Sequence, residues 1–143
     1  MNQLQGCAPV LEHGVYHEET IRLGERSLGA VGSGGNVTVI CCQGRLVYGQ
    51  GSSLLSEKVA KIFPHTRQIV LDLSQVKRID GTGLGELVSI WMQAKASNRT
   101  VKLAAPPPRI RQILKLTNLT SVFQIYPTLE DALNSFADGA AAR

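Results

Sequence analysis

The stretch "QIVLDLSQVKRIDGTGLGELVSIW", Gln68 to Trp91, decides the fold. "QIVLDL" is a short, nearly continuous apolar run, as expected for a central parallel strand buried on both faces. Leu84, Leu87, Val88 and Trp91 then fall at i, i+3, i+4 and i+7, the stripe of a helix with one apolar face. Between them lie Asp80, Thr82 and the glycines Gly81, Gly83 and Gly85. A turn of this composition can cradle a phosphate, accept one covalently, or simply bend tightly.

Working outward, the same alternation repeats. "VTVICCQGRLV" is rich in β-branched and small apolar residues and reads as a buried strand, with a bulge or bend at Gly44. "SSLLSEKVAKIF" places Leu54, Leu55, Val59 and Ile62 at helical spacing, with Ser52 or Ser53 available as cap and Pro64 as terminator. After the helix that carries Leu84 to Trp91, "ASNRT" is a breaker and "TVKLA" a strand. Pro106, Pro107 and Pro108 lead into a helix through Ile110, Ile113, Leu114 and Thr117, since proline is tolerated in a first turn. "SVFQIY" reads as a short strand, and Thr128 with Asp131 as a capping box opening a last helix. Strands alternating with helices imply an α/β fold: a mainly parallel central sheet of about four or five strands covered by about four helices. Residues 1–35 read as an N-terminal extension, partly flexible or contributing an edge strand through "ETIRLGERSLGAV". Residues 36–137 form the domain, and 138–143 a frayed tail.

Composition narrows the function. The chain has 143 residues, the length of one domain. No run of about 18 apolar residues is present, so no membrane span is expected. The N-terminus does not read as a secretory signal. Three cysteines, Cys7, Cys41 and Cys42, are no disulfide framework, and a reducing cytoplasm is the simpler setting. Residues 1–33 carry Arg22 and Arg26 against Glu12, Glu18, Glu19 and Glu25, a net −2, so the remainder holds +6 within the chain's overall +4. That bias, without clustered Lys/Arg and stacking aromatics, argues against nucleic acid as a partner.

Catalytic and cofactor chemistry finds little support. Gly81, Gly83 and Gly85 give G-x-G-x-G, and Glu86 stands where a dinucleotide fingerprint needs its third glycine. No lysine follows Gly85, so the turn is no P-loop. No G-x-S-x-G elbow occurs, and the histidines are His13, His17 and His65. Cys41 and Cys42 lie in an apolar strand, where burial makes thiols inert. His13 and His17 are four apart, but their segment does not look helical, and a solvated terminus is the simpler reading. No cofactor, no metal and no enzymatic activity are expected. Asp80, at a strand end before a helix, can cap that helix. Thr82 would then sit near a helix N-terminus, where the macrodipole favours a phosphate.

From about Asn36 to Phe136 the chain resembles the STAS domain of bacterial anti-sigma factor antagonists. "IDGTGLGEL" is similar to that family's signature, usually Asp-Ser-[Ser/Thr/Ala]-Gly-[Leu/Ile]-Gly, and "PPPRIRQILKLTNLTSVFQIYPTLEDAL" follows its C-terminal half. The resemblance implies a regulatory module of sigma-factor control in the bacterial cytoplasm. Its partner would be an anti-sigma factor that is also a serine kinase, or another STAS-docking protein; a homodimer stays open. It implies partner contacts at Asp80, Gly81, Thr82, Gly83, Leu84 and Glu86. In the family, phosphorylation of the Ser/Thr after the signature aspartate ejects the antagonist. Here that position is Gly81, and Thr82 is the nearest hydroxyl. A "G-x-L-D" stretch common in the family is Gly44, Arg45, Leu46 and Val47, without the carboxylate. Both departures bear on the phosphorylation cycle. The alternative implied role is a scaffold or accessory subunit of a signalling assembly or lipid-transport ATPase.

Overall fold

The computed structural model describes residues 21–30, 36–49 and 53–137. The His13/His17 pair and the tail from residue 138 lie outside them. Five strands form one sheet in the order β1-β2-β3-β4-β5: Arg22–Ala30, Asn36–Leu46, Gln68–Ile79, Thr100–Ala104 and Ile125–Tyr126. β1 is antiparallel to β2, and every other neighbouring pair is parallel. Four helices intervene: α1 Leu54–Ile62, α2 Gly81–Ala96, α3 Pro108–Leu116 and α4 Leu129–Ala137. The α/β fold with a mostly parallel sheet and four helices thus agrees with the sequence reading. β1 lies before residue 36 and still belongs to the sheet.

The sheet buries both faces, which is why its central strands lack strict alternation. Ile40 and Cys42 of β2, Ile69, Leu71 and Leu73 of β3, and Leu103 of β4 pack with α1, α2 and α3. Val37, Val39 and Cys41 of β2 and Val70 of β3 pack on the other side with Leu129, Ala132, Leu133 and Phe136 of α4. Lys102 belongs to this second side. Its ammonium lies 4.0 Å from the centroid of the Phe136 ring and donates to Ser135 Oγ at 2.6 Å.

Several local readings change. β3 does not stop after "QIVLDL". It continues to Ile79 because Gln75, Val76, Arg78 and Ile79 keep pairing with β2, through two register shifts, one at Gly44 with φ 110°. β5 is shorter than "SVFQIY". Asn118 adopts a left-handed conformation, Leu119–Ser121 forms a 3-10 turn, and the N–H groups of Val122 and Phe123 both donate to the Leu119 carbonyl. Ser53 stands at the N-cap of α1 but does not cap it; its hydroxyl donates to Glu57 Oε2 at 2.9 Å. At α4 the threonine half of the capping box forms, with the Asp131 N–H donating to Thr128 Oγ1 at 2.9 Å. Cys42 is a buried free thiol whose pKa is pushed well up, first by burial and then by Asp72 and Glu86. Cys41 is disulfide-bonded, so the reading of both strand cysteines as inert thiols holds for Cys42 alone.

Among the described residues, no helix is long and apolar enough to cross a membrane.

Candidate docking site at the start of α2

β3 ends at Ile79 and α2 begins at Gly81, so Asp80 is the whole connection. Asp80 is extended and caps α2: its Oδ1 accepts the N–H of Gly83 at 3.0 Å. Its Oδ2 accepts the N–H of Tyr48 at 3.0 Å, and its own N–H donates to the Leu46 carbonyl at 3.3 Å. One carboxylate therefore serves the helix and the strand end opposite. These bonds, led by Tyr48 and then Gly83, hold the Asp80 carboxyl below the ordinary aspartate range.

The three glycines have different reasons. A Cβ on Gly83 would collide with the Leu46 carbonyl oxygen and meet Ile79 Cγ1 at 2.9 Å. Gly83 is thus what lets α2 lie against the end of β2. A Cβ on Gly81 or Gly85 would meet nothing within 4 Å. Those two glycines are exposed, and close packing does not explain them.

Of the six residues expected at a partner surface, the structure brings Asp80, Gly81, Thr82 and Leu84 to the first turn of α2 with at least partial exposure. Gly83 and Glu86 lie inward instead. Gly83 is buried under the turn by the close approach to Leu46. Glu86 is only 8% exposed and turns inward, where its Oε2 accepts the N–H of Ser56 in α1 at 2.9 Å. Burial raises the Glu86 pKa, and its bonds to Ser56 oppose the rise.

Sequence reasoning missed Tyr48. It is 80% exposed, and its backbone is bonded to the capping aspartate, which places an aromatic side chain beside the start of α2. The signal in the sequence is its position directly after Val47, the residue that replaces the aspartate of "G-x-L-D". Val47 itself lies between Leu46 and Tyr48, the two residues whose backbones bond Asp80. The site of the missing carboxylate is therefore adjacent to the turn. The arrangement offers a solvent-facing helix N-terminus, an exposed hydroxyl at Thr82 and a projecting ring. Among the described residues, no cluster of three or more His, Cys, Asp or Glu could hold a metal ion.

Comparison with known proteins agrees with this geometry. A Thermotoga maritima protein described as an anti-sigma factor antagonist is 35% identical over 66 residues, covering 46% of this chain. The match spans 58% of that relative's length, a little over half of it. The structure of an anti-sigma factor antagonist from Mycobacterium paratuberculosis superposes with a TM-score of 0.62 at 26% identity, covering 80% of this chain and 96% of that one. A STAS domain protein from Planctomyces limnophilus gives a TM-score of 0.65 at 22% identity, covering 79% and 97%, a likeness of fold. The family model for the STAS domain matches residues 31–132. Members of that family are regulatory, non-catalytic domains. By that match, and by the strand–turn–helix unit centred on Asp80, the chain belongs to the STAS domain family.

Proposed function

We propose that this chain is an anti-sigma factor antagonist-like binding module. It docks a kinase-type anti-sigma factor through the start of α2 and lacks the usual phosphorylation switch. The docking face consists of Asp80, Gly81, Thr82 and Leu84, with Tyr48 beside them. The observation that carries the reading is Gly81: it directly follows the capping aspartate, is exposed, and has no hydroxyl.

Physical chemistry says what that absence does. A phosphate adds about −1.5 to −2 charge and breaks an interface by repulsion and desolvation. With glycine at the acceptor position, the family's mode of release has no atom to act on. Val47 supports the same reading, because an apolar side chain occupies the strand end next to Asp80. Thr82 is exposed one residue further on, in the first turn of α2. A phosphate there would gain from the helix N-terminus but would face the Asp80 carboxylate.

Incubation with the host's kinase-type anti-sigma factor and ATP, read by intact mass, tests the proposal. The expected result is a complex and an unchanged mass. Stoichiometric phosphate on Thr82 would overturn it. Gly81→Ser restores an acceptor without steric conflict, since nothing lies within 4 Å of a Cβ there. This variant is expected to gain phosphate when the kinase docks.

The same missing hydroxyl favours a second reading, a STAS scaffold or accessory subunit in a signalling assembly or lipid-transport ATPase. Neighbouring genes separate the two: a kinase-type anti-sigma factor supports the first, and a permease or ATPase the second.

A further inference from the structure

Asp80, the N-cap of α2, and Glu86 within that helix send carboxylates to the two ends of one connection. Asp80 Oδ2 takes the Tyr48 N–H where β2 ends, and Glu86 Oε2 takes the Ser56 N–H in the first turn of α1. We infer that Glu86 is a positioning residue: it is the long-range N-cap of α1 and fixes that helix's first turn, with the exposed Leu54, against α2. The inference deepens the docking reading, on which its functional meaning rests, since Leu54 and Tyr48 then flank the same helix.

Three observations carry it. First, α1 lacks a cap of its own. The first N–H groups of a helix need acceptors from elsewhere, and the Ser53 side chain is committed to Glu57. Second, Glu86 lies among the buried positions Gly83, Leu87, Ile90 and Ala94 of α2, on a face that otherwise serves packing. A carboxylate buried there is costly unless a donor meets it. The Ser56 N–H is that donor, and Ser56 is the third residue of α1, where a capping acceptor belongs. Third, the other oxygen, Oε1, is buried without a hydrogen-bond partner among the described residues. The α1 N-terminus, with its partial positive charge, is what Glu86 faces.

The ionisable groups around Glu86 sharpen this. From α1, Glu57 repels the carboxylate and helps raise its pKa, while Lys58 is paired with Glu25 at 2.9 Å. From β2, Cys42 is a buried thiol kept protonated chiefly by burial, with Asp72 and then Glu86 adding to the effect. Among the described residues, the only charged side chain acting strongly on Glu86 is Glu57, an anion. Its favourable contacts are the Ser56 N–H first, then the Ser56 hydroxyl and the Leu55 N–H, all in the first turn of α1, so the protonation of Glu86 is felt there.

Amide exchange and NMR titration of the full chain alone test this, comparing wild type with Glu86→Gln and Glu86→Ala. Glutamine retains an acceptor oxygen and keeps the Ser56 amide protected. Alanine removes it, and Ser56 exchanges about tenfold faster, the size of one lost cap. Val70 in β3 keeps its wild-type rate in both. In wild type the Ser56 amide resonance follows a titration whose midpoint lies above the ordinary glutamate range, and this response is absent in Glu86→Gln. If Glu86→Ala does not fold, the comparison of wild type with Glu86→Gln decides. Unchanged Ser56 exchange in a folded Glu86→Ala, or a Ser56 response of equal size in Glu86→Gln, overturns the inference. No partner takes part, so failure of docking leaves this result readable, and the reverse also holds.

Discussion

Asp80 Oδ2 accepts the Tyr48 N–H at 3.0 Å while its Oδ1 caps α2 through Gly83 at 3.0 Å, so one side chain ties the signature helix to the end of β2. Both bonds favour the ionised carboxylate, whose pKa is lowered in the fold. Its contribution to stability is therefore present above the unfolded aspartate pKa and disappears as pH falls through the lower folded value. Asp80→Asn should lower the Tm at neutral pH, and the gap from wild type should close on acidification. Thermal melts across pH 2–7 check this; a gap constant with pH contradicts it.

Gly83 and Gly85 should respond to alanine with opposite signs. Gly83→Ala drives a Cβ into the Leu46 carbonyl and should cost about 1–3 kcal/mol or more, the range for overpacking. Gly85→Ala adds a methyl in open space on a helix and should stabilise by about 0.4–1 kcal/mol. Denaturant midpoints of the two variants, measured side by side, give the comparison.

Glu86 should show the reverse pH linkage to Asp80. Its pKa is raised, chiefly by burial, so its contribution is fully present below the unfolded glutamate pKa and is lost as pH rises through the folded value. The stability of Glu86→Gln relative to wild type should therefore improve from acid towards neutral pH. Urea unfolding at several pH values measures it, and a relative loss towards neutral pH would count against a raised pKa.

The contact between Lys102 and α4 should show the asymmetry of buried polar pairs. Lys102 is 7% exposed and donates to Ser135 Oγ at 2.6 Å. Ser135→Ala removes one acceptor and leaves the ammonium with Tyr126 and the Phe136 ring, and should cost about 1–3 kcal/mol. Lys102→Met removes the charge while keeping an apolar stem over Phe136, and should cost less. Equal losses in the two variants would assign the effect to packing alone.

How far the sequence could be read follows from the range of each interaction. The parallel order of β2, β3 and β4 follows from local alternation and from continuous apolar runs. The capping role of Asp80 follows from its place between a strand and a helix. The limits of β3 and β5 do not, because Gln75–Ile79 is a strand only through its pairing with β2, and Leu119 diverts its neighbours into a turn. The burial of Glu86 is hidden for the same reason. Its chemistry on a helix suggests the surface, and its partner Ser56 is 30 residues away. Tyr48 was equally out of reach, since its link to Asp80 spans 32 residues. The individual roles of Gly81, Gly83 and Gly85 are invisible in their spacing and depend on what each would touch.

The central claim is docking through the start of α2 without phosphate release. Its most direct test is calorimetric titration of the chain with the host's kinase-type anti-sigma factor, before and after prolonged incubation with ATP. The account predicts the same affinity in both states and none for a variant with Thr82→Glu and Tyr48→Ala together. Binding that vanishes after ATP, with one phosphate gained on Thr82, would contradict it.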